Sequence, residues 1–188
     1  SQTQSGNAVL TIAPLPTATI SGATSICSGS TTVITFNGTP NATVTYTLNS
    51  GPNQTIVLNA TGTATITTPA LTANTTYDLV SVASSGTPSC SQTQSGSAVI
   101  SVISLPTATI SGTTSICSGA TATVSFNGTP NATVTYTVNS GPNQTIVLNA
   151  AGTASITTPV LTANSTYALV SVTSSGAPTC LQTQSGSV

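Results

Sequence analysis

The side chains best equipped for chemistry in this chain are four cysteines, Cys27, Cys90, Cys117 and Cys180. There is no Lys, Arg or His to accompany them, and the one acidic residue is Asp78. General acid–base catalysis needs a group that titrates near the working pH, and a lone carboxylate without a partner is a poor candidate. Its equivalent later in the chain is Ala168, so nothing in the repeated design depends on it. Ser and Thr are abundant, but a nucleophilic hydroxyl needs an adjacent base. Calcium requires several carboxylates. Zinc requires closely spaced Cys and His, whereas these cysteines lie 27 or more positions apart (117 minus 90). Phosphate neutralisation on nucleic acid requires Lys and Arg. The chain therefore reads as no enzyme, with no cofactor, no metal site and no nucleic-acid partner. The chemistry left to it is disulfide formation.

The elements that carry these cysteines repeat. Residues 36–60, FNGTPNATVTYTLNSGPNQTIVLNA, return as residues 126–150 with Leu48 replaced by Val138, an offset of 90 positions (126 minus 36). Within this stretch Val44, Tyr46 and Leu48 alternate with Thr43, Thr45 and Thr47. Period two marks a strand with one buried and one wet face. Gly38-Thr39-Pro40-Asn41 and Asn49-Ser50-Gly51-Pro52 are turn signals on either side. Strand, turn and strand repeated at domain length predict a tandem all-β array. Hydrophobic content is 37% with 3% aromatic, so each core must be packed from small residues around a few Tyr and Phe anchors.

In order along the chain, Ser1–Ala13 matches Ser91–Ile103 and reads as the last strand of a preceding module. The module bodies are then 14–103 and 104–188, the second with its last strand cut short at Val188. The preferred reading is that a longer secreted tandem protein continues beyond both ends; the other is that residues 1–13 complete a module of another chain by donor-strand pairing. Pro14-Leu15-Pro16 and Ser104-Leu105-Pro106 are short, stiff junctions. Strands are expected at 17–21, 32–37, 42–48, 54–59, 63–68 and 75–83, with a final strand ending in Ala98-Val99-Ile100. Ile34, Phe36, Ile56, Leu58, Ala64 and Ile66 are expected to face inward. Adjacent Leu79 and Val80 break the alternation and suggest a bulge. Leu71 six residues before Tyr77, and Leu161 before Tyr167, resemble the tyrosine corner of Greek-key sandwiches. About seven strands per module make tandem immunoglobulin-like Greek-key β-sandwiches. No apolar run approaches the roughly 18 residues of a membrane helix, so no membrane insertion is expected.

Two cysteines per repeat in a secreted β module should be oxidised. The obvious pairing is within modules, Cys27–Cys90 and Cys117–Cys180. Counting strands argues against it. Five strands separate the two cysteines of a module, which puts them at opposite poles about 23 Å apart for a seven-residue strand, while a disulfide needs Cα atoms within about 7 Å. Where modules stack, Cys27 instead meets Cys180, leaving Cys90 and Cys117 to pair with preceding and following modules. The within-module pairing stands if a strand has gone uncounted, or if the last strand climbs far enough to carry Cys90 upward.

The opening Pro-Thr-Ala-Thr-Ile-Ser-Gly, the Ile-Cys-Ser-Gly before the second strand, Leu-Thr-Ala-Asn-Thr-Thr-Tyr and the second Cys in the last turn resemble the Ig-like repeats of very large secreted surface proteins of Bacteroidetes, adhesins and filament proteins among them. The resemblance covers both modules and brings no catalytic or metal-binding residue with it. It implies an extracellular, cell-surface structural repeat, a filament shaft or adhesin stalk whose partners are copies of itself. The alternative is a ligand-binding adhesin module that recognises a glycan or ice through a Thr/Asn-rich face. The near-identity of the repeats favours the shaft, since a ligand domain would break the monotony.

Overall fold

A computed structural model of the chain describes residues 10–188, and among these there is no helix. The chain folds as all-β, immunoglobulin-like sandwiches. It divides into two compact units: Ser30–Ser101 with the residues before Thr24 inclusive, and Val102–Val188 together with the short segment Ser25–Gly29.

In the first unit, β1 (Ala18–Gly22), β3 (Val33–Gly38) and β6 (Thr63–Thr67) form one antiparallel sheet in the order β1-β3-β6. The facing sheet holds β4 (Thr43–Leu48), β5 (Gln54–Val57) and β7 (Thr75–Ala83), with β8 (Ser91–Thr93) and β9 (Ser97–Ile103) both paired to β7. The chain crosses between the sheets from β3 to β4, from β5 to β6 and from β6 to β7, while β4–β5 stay in one sheet, as in a Greek-key sandwich. The alternation read from the sequence governs the core: Ile34, Phe36 and Val44 are fully buried and Tyr46 nearly so. Phe36 reaches across from one sheet to Tyr46 of the other with ring centroids 5.1 Å apart, and Tyr77 lies 6.2 Å beyond Tyr46. Such tilted aromatic pairs add about 0.5–1.5 kcal/mol beyond their buried area.

The second unit repeats the plan. Strands β10 (Ala108–Gly112), β11 (Thr123–Gly128) and β14 (Thr153–Thr157) form one sheet. The other runs β13 (Gln144–Val147), β12 (Thr133–Val138), β15 (Tyr167–Thr173), β16 (Leu181–Thr183). Its core holds Val124, Phe126, Val134, Tyr136, Leu148, Tyr167, Leu169 and Val172, with Phe126 and Tyr136 at 5.0 Å.

The turns are made by the residues that tolerate them. Asn49 (φ 49°) and Ser50 (φ 57°) are both left-handed, and Gly51 N–H closes onto Leu48 O at 2.8 Å. Two left-handed central residues suit the right-handed twist of a hairpin. Asn49 also ties the turn to β7, accepting from Thr76 N–H at 2.8 Å through its side chain and donating to Thr76 O at 2.8 Å. At Gly38 a Cβ would collide with the carbonyl oxygen of Thr17, so only glycine lets β3 begin its turn that close to β1.

Several expectations need correction. The strand expected at 54–59 stops at Val57, although Leu58 is buried as expected; Ile56, Ala64 and Ile66 are half-buried, and their counterparts Ile146, Ala154 and Ile156 pack against the second core, so the inward-facing side is as expected. The last strand does not end at Ile100; it runs to Ile103 and is broken into β8 and β9. The cause is the bulge in β7. Tyr46 pairs with Leu79 but Thr45 with Ser81, so Val80 is the extra residue. On the other side Leu79 N–H bonds Gly96 O and Gln94 N–H bonds Val80 O, both at 2.9 Å, and the strand kinks at Gly96 (φ 144°). Ser25–Cys27, which is not among the expected strands, is one: β2. Of the segment read as a preceding module's last strand, residues 1–9 lie outside the described residues. Leu10–Ala13 belong to no strand, with Leu10 90% and Ile12 86% exposed.

Candidate functional site

The last turn of each unit is built to fix a cysteine. In the first, Ser84 N–H donates to Cys90 O and Cys90 N–H donates back to Ser84 Oγ, both at 2.9 Å. In the second, Ser174 and Cys180 make the same two bonds at the same distances. Each turn also contains a cis proline, Thr87-Pro88 and Ala177-Pro178. The serine six positions before each cysteine escaped the sequence reading, although its recurrence in both repeats was a visible signal.

The second element is the Ser-Ile-Cys-Ser-Gly segment. As β2 it lies beside the end of β9, with Ser28 N–H on Ile103 O at 2.8 Å. Ile26 is 8% exposed there, and Cys27 forms a disulfide with Cys180, Cα atoms 5.6 Å apart. Cys180 is fully buried by this contact. The bond thus joins a segment of the first sequence repeat to the last turn of the second, and neither within-repeat pairing occurs. The second unit shows why. Cys117 precedes Gly119, whose N–H bonds Leu161 O at 2.9 Å just before β15 begins, whereas Cys180 follows the far end of β15. A strand of that length holds the two roughly 23 Å apart.

The same five residues in the second repeat, Ser115–Gly119, have a different fate. They form no strand, Ile116 is 38% exposed, and Cys117 is exposed and free. They line an open groove of about 410 Å³ with Leu161 and Ser165, both less buried than their counterparts Leu71 and Thr75. Cys90 is also free and half-buried.

Leu71 and Leu161 each bridge to the strand-like residue opposite, Ser30 and Ala120. Tyr77 and Tyr167 are buried at the starts of β7 and β15. The partner for a tyrosine hydroxyl that the sequence did not announce is Gln54: Tyr46 Oη donates to Gln54 Oε1 at 3.0 Å, and Tyr136 to Gln144 at 3.1 Å. Burial pushes the phenols of Tyr46, Tyr77 and Tyr136 above their ordinary value, the neighbouring tyrosine adding to the effect at Tyr46 and Tyr136. Asp78 accepts a short hydrogen bond from Ser97 Oγ, which fastens β7 to β9. The chemistry this arrangement offers is that of thiols and disulfides held in rigid turns.

No family model matches the sequence, and no curated protein matches it. Among solved structures it is similar to the human OSCAR ligand-binding domain, at 14% identity over 93% of this chain and 97% of that one, with a TM-score of 0.42. It is also similar to the chicken CNTN1 FN1-FN3 domains, at 14% identity over 90% of this chain and 62% of that one, with a TM-score of 0.37.

Proposed function

We propose that this chain is a load-bearing stretch of an extracellular surface filament or adhesin stalk. The carrying observation is the Cys27–Cys180 bond, which joins residues 153 positions apart. Tension applied along the backbone reaches Cys27, crosses the disulfide and leaves at Cys180, so the strands between them carry none of it. The near-exact repeat suits a shaft, and a disulfide suits an oxidising compartment outside the cell. The resemblance to Bacteroidetes surface repeats points the same way. A surface free of Lys and Arg gives trypsin-like proteases nothing to cut and leaves little for salt or pH to disturb.

The test is immunogold electron microscopy of producing cells with antibody raised against this segment. Gold spaced along filaments on the cell exterior is the expected outcome. Gold confined to the cytoplasm, or to filament tips together with saturable binding on a glycan array, would replace the shaft with another role.

A further inference from the structure

In each unit one sheet edge is the strand after the Asn-Ser-Gly-Pro turn, β5 in the first and β13 in the second. Residues 53–60 and 143–150 are identical. Leu58 N–H bonds Ala42 O at 2.9 Å, and the register sets Ile56 opposite Val44 and Gln54 opposite Tyr46. Antiparallel pairs alternate between bonded and unbonded. Gln54, Ile56 and Leu58 therefore turn their backbone groups toward β4, and Asn53, Thr55 and Val57 turn theirs away from it. Among the described residues no hydrogen bond reaches the N–H or C=O of these three. The free run is closed at both ends: Gly51 N–H bonds Leu48 O at 2.8 Å, and Asn59 N–H bonds Thr63 O at 2.9 Å. The second unit repeats the pattern. Asn143, Thr145 and Val147 are free between Gly141 N–H on Val138 O at 2.8 Å and Asn149 N–H on Thr153 O at 2.9 Å.

Native sheets guard such an edge with Lys, Pro, a bulge or a covering element. Between residues 53 and 57 there is no charge, no proline and no register shift against β4. Val57 is 62% exposed in the unit that another follows, and Val147 is 62% exposed in the unit that another precedes, so the openness belongs to the edge itself. We infer that each of these edges pairs with the same edge of a second copy of this chain, antiparallel and two-fold about Thr55 or its equivalent Thr145. The occupant follows from the pattern of free groups. A copy centred on Thr55 sets Asn53 opposite Val57, Thr55 opposite Thr55, and Val57 opposite Asn53. Three free positions meet three, with roughly six backbone hydrogen bonds at two per bonded pair. The next step would set Gly51 against Asn59, whose N–H groups are already engaged, so the pairing begins and ends with the free run. The contact is isologous, the same residues on both sides.

Charge supports the same occupant. A chain with a formal net charge of -1 offers its own copy almost no repulsion. The outer faces also match, since Thr55 meets Thr55 across the two-fold, and facing threonines are a favourable cross-strand pair. This pairing goes beyond the shaft reading, which concerns load along one chain; it names a contact between chains lying side by side.

The test uses the whole chain, with Cys90→Ser and Cys117→Ser throughout so that no thiol cross-link contributes. Sedimentation equilibrium of this parent should show reversible self-association at concentrations up to about 1 mM. Thr55→Lys with Thr145→Lys should weaken it about tenfold or more, because the two-fold sets like charges directly opposite each other. Thr55→Glu with Thr145→Glu should do the same. An equimolar mixture of the Lys and Glu chains should associate again, to within about threefold of the parent, since each Lys then faces a Glu. Thr55 and Thr145 are exposed, so the thermal midpoints of these variants should stay with the parent's. If either charged chain unfolds, Thr55→Pro with Thr145→Pro serves in its place. It removes the central outward N–H, which an edge strand tolerates, and should weaken association equally. A parent that stays monomeric, Lys or Pro chains that associate as well as the parent, or a mixture no better than its components would overturn the pairing. None of these results touches the shaft reading, because the extension of one oxidised chain under tension is read without a second copy.

Discussion

Gly38 and the buried tyrosines show how single residues hold this fold together without charge. A Cβ at Gly38 meets the Thr17 backbone, which cannot swing aside as a side chain would. Gly38→Ala should therefore cost about 1–3 kcal/mol, as overpacking does, read as a lower denaturation midpoint. Gly86→Ala, where a Cβ meets no atom within 4 Å, should stay within about 0.5 kcal/mol of the parent. The tyrosines set the alkaline limit. Burial raises the pKa of Tyr46, Tyr77 and Tyr136 in the folded state, while in the unfolded chain they ionise near pH 10. The unfolded state thus releases protons first as pH rises, so the stability contributed by these groups is intact below about pH 10 and lost above it. Thermal midpoints across the alkaline range should fall only beyond that point, with tyrosinate absorbance appearing late and together with unfolding. Ordinary titration of Tyr46, Tyr77 and Tyr136 in the folded protein would contradict this.

At the scale of elements, the bulge at Val80 and the kink at Gly96 act as one device, since the two sit side by side across β7 and the broken last strand. Gly96 holds φ 144° and Gly186 in the second unit the same, a region that costs other residues about 1–3 kcal/mol. Gly96→Ala should lower stability by that amount, measured by denaturant unfolding, and Gly186→Ala should match it. How much could be read beforehand divides along physical lines. Ile34, Phe36, Val44 and Tyr46 were legible because period-two patterning records which face is buried. The bulge was legible because Leu79-Val80 interrupts that pattern. β2 was not, because Ser25-Ile26-Cys27 and Ser115-Ile116-Cys117 are the same letters and only one copy is a strand. What decides is the neighbouring strand end at Ile103, which no local propensity records. The cysteine pairing was legible in part: strand parity disfavoured the pairing within a repeat, and the stacking of modules named Cys180 as the partner of Cys27, which is the bond that forms, whereas Cys90 and Cys117, expected to be oxidised as well, are free. The kink at Gly96 was hidden, since a glycine in a strand does not reveal its φ.

For the molecule as a whole, the disulfide closes a loop of 153 positions. By loop entropy a closure of this size constrains the unfolded chain by about 4–5 kcal/mol, less whatever structure that chain retains. Cys180→Ser should lose up to that much, Cys27→Ser the same, and the double variant no more than either, because both remove one bond. Amide exchange at Ser25–Gly29 should accelerate in all three. The central claim is that tension bypasses the strands between Cys27 and Cys180, β3 to β15, and pulling single molecules by their two ends tests it most directly. Oxidised chains should extend only through the residues outside Cys27–Cys180. After reduction, the same molecules should release about 50 nm of further contour length, at roughly 3.3–3.6 Å per residue of the freed loop. Full unfolding of both sandwiches under tension while the disulfide is intact would contradict the account.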